Sequence, residues 1–135
     1  MSSSWYKSQR EFDGILSSDE QTNPLAKANK VYLPYCTSDG HMGDSSNSHW
    51  TKGFQFRGRR VVNALFDTLV SSFFEKESDR PVTVVFGGFS AGARGAMMHI
   101  DSLSARLSNF DNLQVVGVLD SPAYLDVETL DPRSQ

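Results

Sequence analysis

The feature that most constrains the fold is an apolar run, Val82–Phe86, which passes through a glycine-rich turn directly into an amphipathic helix. Near-continuous runs of apolar and β-branched residues are typical of strands buried on both faces of a parallel sheet. The helix is predicted to reach about Leu107, because apolar residues recur along it at steps of three and four. These residues are Ala93, Met97, Ile100, Leu103 and Leu107. A strand, a tight turn and a helix in this order predict one unit of an α/β sheet.

Three further segments complete an alternation of strands and helices. A helix is predicted from about Arg57 to Glu77, and Asp79-Arg80-Pro81 ends it because proline disfavours the α conformation in the preceding residue. Its apolar positions recur at Val62, Leu65, Leu69 and Phe73. Val115–Leu119 is predicted to be a buried strand, and the shorter segment Val31–Tyr35 a first strand. The order strand, helix, strand, helix, strand predicts a parallel sheet of the α/β class.

Length and charge restrict the class of protein. The 135 residues are enough for one domain or part of one. A formal net charge of -3, with the basic residues scattered, argues against nucleic acid or an anionic membrane as the partner. No apolar run approaches the ~20 residues of a spanning helix, and the first residues do not resemble a signal peptide. Residues 1–30 are poorly patterned, and Thr37–Gly53 is predicted to be a long loop.

The glycine-rich turn, Gly88-Phe89-Ser90-Ala91-Gly92, matches the pattern G-x-S-x-G. Its position between a buried strand and an amphipathic helix is the context that a nucleophile elbow requires. Such a turn holds the serine in a strained backbone conformation, and Gly88 and Gly92 are predicted to avoid collisions with neighbouring backbone. The Ala91 N–H, at the start of the helix, is a predicted donor to an oxyanion. Ser90 is therefore the candidate nucleophile.

Two other interpretations of this turn stay open. A glycine-rich strand-to-helix turn can carry a serine that has no chemical role. Turns of this kind also bind phosphate groups at helix N-termini. Neither G-x-x-x-x-G-K-[ST] nor G-x-G-x-x-G is present, however, which makes phosphate binding the weaker alternative.

Four blocks of the sequence together resemble the pectin acetylesterase and Notum family of α/β-hydrolase carboxylesterases. The blocks are Val31–Asp39, Phe56-Arg57-Gly58, Gly87–Gly92, and Val118–Ser121 with Tyr124-Leu125-Asp126. They follow the family's order with similar gaps, and they cover roughly residues 31–126. The resemblance implies a partial α/β-hydrolase fold, in which residues 1–135 form an incomplete domain.

The resemblance also assigns roles to individual residues. Ser90 matches the family's nucleophile, Ala91 the residue after it, and Tyr124 an aromatic residue that lines the acyl pocket in Notum-like members. Four positions depart from the family's usual residues: Phe89, Ala93, Pro122 and Ala123. These departures leave the reaction class intact and leave the acyl group open.

The order of the acids and histidines does not supply a complete catalytic triad. In α/β-hydrolases the triad runs along the chain as serine, acid, then histidine. The histidine after Ser90 is His99, which lies nine residues further along the same helix and therefore ~13 Å away along its axis. His99 is predicted to be an ordinary helix residue. Asp120 is predicted to be a structural or pocket-edge carboxylate, because the family's acid lies further downstream. The chain alone is expected to be inactive.

The other histidines precede Ser90 and lie in the predicted loop. His41 and His49 follow the first predicted strand, at the sheet edge where α/β proteins bind ligands. With Asp39 and Asp44 they would make a metal site, but the spacing fits no standard ligand pattern, and a solvated polar loop is favoured. Cys36 either pairs with a cysteine outside this chain or remains a buried free thiol.

The sequence thus predicts a serine carboxylic-ester hydrolase that needs no metal and no cofactor. The resemblance implies an O-acetylated polysaccharide as substrate, with a lipid-acylated protein as the alternative, and an extracellular location for the parent protein. The rival hypothesis is a non-catalytic α/β binding module in which Ser90 does no chemistry. The oligomeric state stays open.

Overall fold

The computed structural model describes residues 6–7, 9–76 and 80–123, and the chain divides into two compact units. The first unit is Met1–Cys36, and its described part contains one turn of 3-10 helix, Gly14–Leu16. The buried side chain of Asn23 organises this unit by donating hydrogen bonds to two backbone carbonyls, Ile15 at 3.1 Å and Ser17 at 2.6 Å. Side-chain amides that replace missing backbone partners are typical of units with little regular structure.

The strand predicted at Val31–Tyr35 is not formed. Among the described residues, this segment joins no ladder. Its aromatic side chains are instead held inside the first unit. The Tyr32 ring lies 4.9 Å from the Phe12 ring, and the Tyr32 hydroxyl accepts a hydrogen bond from Arg10 at 3.0 Å. A strand-like composition is therefore not sufficient here, because a strand needs a neighbour along its hydrogen-bonding edge.

The second unit, Thr37–Gln135, contains the predicted α/β elements. They are α1, Gly58–Ser72; β1, Val82–Phe89; α2, Ala91–Leu107; and β2, Leu113–Asp120. A 3-10 turn, Phe74–Lys76, follows α1, so the α-helix is shorter than predicted. The two strands pair in parallel, with Val82 opposite Leu113 and Phe89 opposite Asp120. The predicted parallel pairing and the α/β class are confirmed.

The core of this unit lies between the two helices and one face of the sheet. The Phe66 ring of α1 meets the Phe86 ring of β1 edge-on at 5.4 Å. Gly117 in β2 lets α2 approach closely, since an added Cβ would lie 2.8 Å from the Ile100 Cδ1 atom. The buried hydrophobic residues are Val62, Phe66, Phe74, Ala93, Ala96, Leu103 and Leu107. Burial of these apolar side chains is the main stabilising term for the unit.

The opposite face of the two-stranded sheet is exposed to solvent. It carries Val85 and Phe89 from β1 and Val116 and Val118 from β2. Phe89 is 69% exposed and lies directly before Ser90. None of the helices in the described ranges is long and apolar enough to cross a membrane.

Candidate active site

Ser90 occupies the turn between β1 and α2 in the backbone conformation that the elbow hypothesis predicts. Its φ is 53° and its ψ is -115°, a region that non-glycine residues enter only under strain. The Ser90 N–H donates to the Asp120 carbonyl at 2.9 Å, and the Ser90 carbonyl accepts from the Arg94 N–H at 3.2 Å. The turn is therefore fixed on both sides, while the serine residue is exposed at the C-terminal end of β1.

The turn is tighter than the sequence predicted, because β1 continues through Phe89. Gly88 is required by close packing: an added Cβ would lie 2.5 Å from the Gly92 carbonyl oxygen and 2.8 Å from the Ala93 nitrogen. The collision predicted for Gly92 is not present, since an added Cβ there meets no described atom within 4 Å. The steric demand of the elbow therefore falls on one glycine rather than two.

Ala91 lies where the sequence predicts it, and Asp120 also lies at the predicted strand end. Ala91 is the first residue of α2, where the N–H has no intrahelical acceptor and the helix dipole favours negative charge. Tyr124, predicted to line the acyl pocket, lies outside the described residues. Asp120 ends β2, and its carboxylate accepts a hydrogen bond from the Ser121 hydroxyl at 2.8 Å.

Asp39 is the main organising residue beside the elbow, and the sequence did not reveal it. One carboxylate oxygen accepts from the N–H groups of Gly58 at 2.7 Å and Gly43 at 3.2 Å. The other accepts from the His41 N–H at 3.0 Å and the Thr37 hydroxyl. Asp39 thereby satisfies the N-terminus of α1 and closes the turn of its own loop.

The same loop packs against α2 through His41 and His99. Both histidines are buried, and the His99 Nε2–H donates to the His41 carbonyl at 2.7 Å. Gly95 permits this contact, because an added Cβ would lie 2.6 Å from the Gly40 carbonyl oxygen. Burial lowers the pKa of His41, and the nearby His99 also lowers it, while Asp39 opposes the shift. His41 is thus not part of a solvated loop, and His99 is a buried contact rather than a residue on the helix flank.

The other polar residues of the loop do not form a site. A hydrogen bond from Arg60 lowers the pKa of the Asp44 carboxyl group, with Arg59 nearby at 3.6 Å. His49 is exposed, with its ring 6.0 Å from the Trp50 ring. No group of three potential metal ligands occurs among the described residues, and Cys36 is a half-buried free thiol.

Gly88→Ala is expected to destabilise the chain by about 2–3 kcal/mol, because the new methyl group would collide with backbone that cannot move independently. Gly92→Ala is the matched control. It adds the same group in open space at the start of α2, and alanine's helix propensity stabilises a helix by up to ~1 kcal/mol relative to glycine. Urea unfolding followed by circular dichroism measures both variants. Equal effects at the two positions would contradict the steric role of Gly88.

A serine held at positive φ between a parallel strand and the helix that follows is the hallmark of the α/β-hydrolase class. The sequence profile of the pectinacetylesterase family matches residues 1–135. The chain belongs to this family.

Two curated relatives and one solved structure extend the comparison. The palmitoleoyl-protein carboxylesterase NOTUM of Schmidtea mediterranea is 36% identical over 129 residues, which are 93% of this chain and 23% of the relative. The human protein of the same name is 31% identical over the same share of the chain and 25% of its own length. The crystal structure of the Wnt deacylase Notum from Drosophila superposes with a TM-score of 0.81 at 30% identity, covering 98% of this chain and 37% of that one. The chain thus spans about a quarter of the length of these curated relatives.

Proposed function

We propose that this chain carries the nucleophile segment of a serine carboxylesterase. The observation that supports the proposal is the strained, exposed Ser90 at the junction of β1 and α2. Ser90 Oγ attacks the ester carbonyl, and the bond to the alcohol breaks to leave an acyl-serine that water hydrolyses. The Ala91 N–H donates to the oxyanion, and the N-terminal end of the α2 dipole adds to its stabilisation.

The base and the acid of this mechanism come from outside the 135 residues. The His99 side chain is hydrogen-bonded to the His41 carbonyl, and burial lowers the pKa of His41, which makes it a weaker base than an ordinary histidine. The relatives that share this segment are about four times as long, which leaves ample sequence for both groups. The segment would then act only as part of the longer fold.

The substrate that the comparisons favour is an acyl ester on a protein. The relatives are named as palmitoleoyl-protein carboxylesterases, which supports the alternative from the sequence rather than the polysaccharide that the sequence placed first. The Phe89 side chain, which lies directly before Ser90 and is 69% exposed, offers an apolar contact that suits an apolar acyl chain. The family's name keeps acetyl esters of pectin as a second candidate.

The test uses the whole-length protein that contains this segment, with esters of 4-nitrophenol that carry an acetyl or an octanoyl group. Ser90→Ala is expected to lower kcat by about a million-fold, to the rate that the remaining oxyanion donors support. Ser121→Ala is the matched control, since Ser121 is also exposed, also has a positive φ of 54°, and ends the neighbouring strand.

The two esters then separate the substrate classes. A higher kcat/KM for octanoyl ester supports the lipid-acyl substrate, and a higher value for acetyl ester supports the pectin substrate. Undiminished turnover in Ser90→Ala would refute the nucleophile, whichever ester is preferred.

A further inference from the structure

The loop from Ser45 to Phe56, here called the aromatic loop, presents two large apolar side chains to solvent. Ser45 and Phe56 close its base through two backbone hydrogen bonds of 2.7 and 3.0 Å. Trp50 is 92% exposed and Phe54 is 67% exposed. Large aromatic side chains that protrude from a closed loop mark an interaction surface rather than a failure to reach the core.

The backbone that carries these side chains is already ordered. The Ser48 N–H donates to the Thr51 hydroxyl at 2.8 Å, and the Thr51 N–H donates back to the Ser48 hydroxyl at 3.2 Å. The Gly53 N–H donates to the Ser48 carbonyl at 3.0 Å, and the Phe54 N–H to the Thr51 carbonyl at 2.9 Å. Because the tip is preformed, docking of Trp50 and Phe54 costs little backbone ordering.

The charge of this region is opposite to that of the whole chain. Residues 44–60 contain four basic side chains and one acidic side chain, Asp44, whereas the chain has a formal net charge of -3. Lys52 lies between the two aromatic residues, and Arg57, Arg59 and Arg60 follow the loop. The three arginines contact residues at the base of the loop. Arg57 donates to the Ser46 hydroxyl at 3.0 Å, and Arg59 and Arg60 form ion pairs with Asp44. A negative net charge for the whole chain is therefore compatible with a local cluster of basic residues here.

We infer that the aromatic loop anchors the protein to a lipid surface that carries anionic headgroups. Trp50 and Phe54 enter the boundary between headgroups and acyl chains, where aromatic side chains are favoured. Lys52, between the two aromatic residues, meets the anionic headgroups through an attraction that salt screens, and Arg57 adds to the local positive potential, whereas Arg59 and Arg60 already pair with Asp44. The inference concerns a surface separate from Ser90, and it holds or fails independently of the esterase proposal.

The experiment measures the fluorescence of Trp50 in the presence of lipid vesicles. The chain contains two tryptophans, so Trp5→Phe leaves Trp50 as the single reporter. We expect the emission of Trp50 to shift to shorter wavelength with vesicles of phosphatidylcholine that contain about one third phosphatidylserine. Brominated acyl chains in the same vesicles are expected to quench this emission. Vesicles of phosphatidylcholine alone are expected to bind more weakly. Lys52→Glu is expected to weaken binding to anionic vesicles at least ~5-fold.

Vesicle sedimentation of variants in the unmodified chain supplies the control. Trp50→Ser and Phe54→Ser are each expected to lower the bound fraction severalfold, and both side chains are mostly exposed, so the fold is expected to tolerate their loss. Met98→Gln removes a comparably exposed apolar side chain, 62% exposed, from α2 and is expected to bind as the parent does. Equal binding by Trp50→Ser and the parent, no binding to anionic vesicles, or binding to soluble polygalacturonate in place of vesicles would overturn the inference.

Discussion

The 135-residue chain by itself is expected to hydrolyse 4-nitrophenyl acetate no faster than its Ser90→Ala variant does. An unactivated serine hydroxyl is a poor nucleophile at neutral pH, and loss of the base costs about a million-fold in turnover. The histidine nearest along the helix, His99, is buried and hydrogen-bonded to the His41 carbonyl. Stoichiometric labelling by a fluorophosphonate is also expected to be absent, because that reaction requires the same activated oxygen.

Turnover or labelling that disappears in Ser90→Ala would show that this chain supplies its own base. His41→Ala and His49→Ala would then identify it, since these are the two histidines that precede the elbow in the sequence. The result would contradict the proposal that the triad is completed from outside the segment. It would leave the identity of the nucleophile intact, so the two conclusions are tested separately.

Asp39→Asn is expected to lower the free energy of unfolding by about 3 kcal/mol and the melting temperature by roughly 10 °C. The carboxylate accepts hydrogen bonds at both oxygens, from Gly58 and Gly43 at one and from His41 and Thr37 at the other. An amide of the same shape turns one of these oxygens into a donor, which leaves donors facing one another.

Asp44→Asn is the matched control for this substitution, with both variants measured by thermal unfolding. Asp44 belongs to the same loop and bonds Arg59 and Arg60, but these exposed ion pairs contribute little to stability. The control is expected to unfold close to the parent's temperature. If Asp39→Asn also does so, Asp39 does not hold the loop to α1.

The sequence predicted the parts of the fold whose signals are local. Val82–Phe86 and Val115–Leu119 were predicted as parallel strands because each is a short, continuous apolar run, and both lie in the ladder. The strained backbone conformation of Ser90 was predicted from the glycines around it and the elements on either side, and the structure gives this residue a positive φ. The prediction of a strand at Val31–Tyr35 was wrong, because it rested on composition, while strand formation depends on a partner elsewhere in the chain.

The residues that the sequence did not reveal depend on contacts between distant positions. Asp39 bonds the N-terminus of α1 from 19 residues away, and His99 bonds the His41 carbonyl from 58 residues away. Two glycines in the sequence could have indicated these contacts. Added side chains at Gly58 and Gly95 would collide with the loop that contains Asp39 and His41. A glycine inside or at the start of a predicted helix weakens it, which makes such positions markers of close approach.

The ladder between β1 and β2 has a consequence for when the reactive turn takes shape. The ladder runs from the pair Val82 and Leu113 to the pair Phe89 and Asp120, and the two strands are connected by a single crossover through α2. The hydrogen bond from Ser90 to Asp120 closes at the end of that same short stretch. Each rung joins residues 31 positions apart, so the ladder needs no contact from outside residues 82–120, and earlier parts of a chain fold first during synthesis. The strained serine can therefore be in place at an early stage of synthesis, before distant parts of a longer chain fold around it.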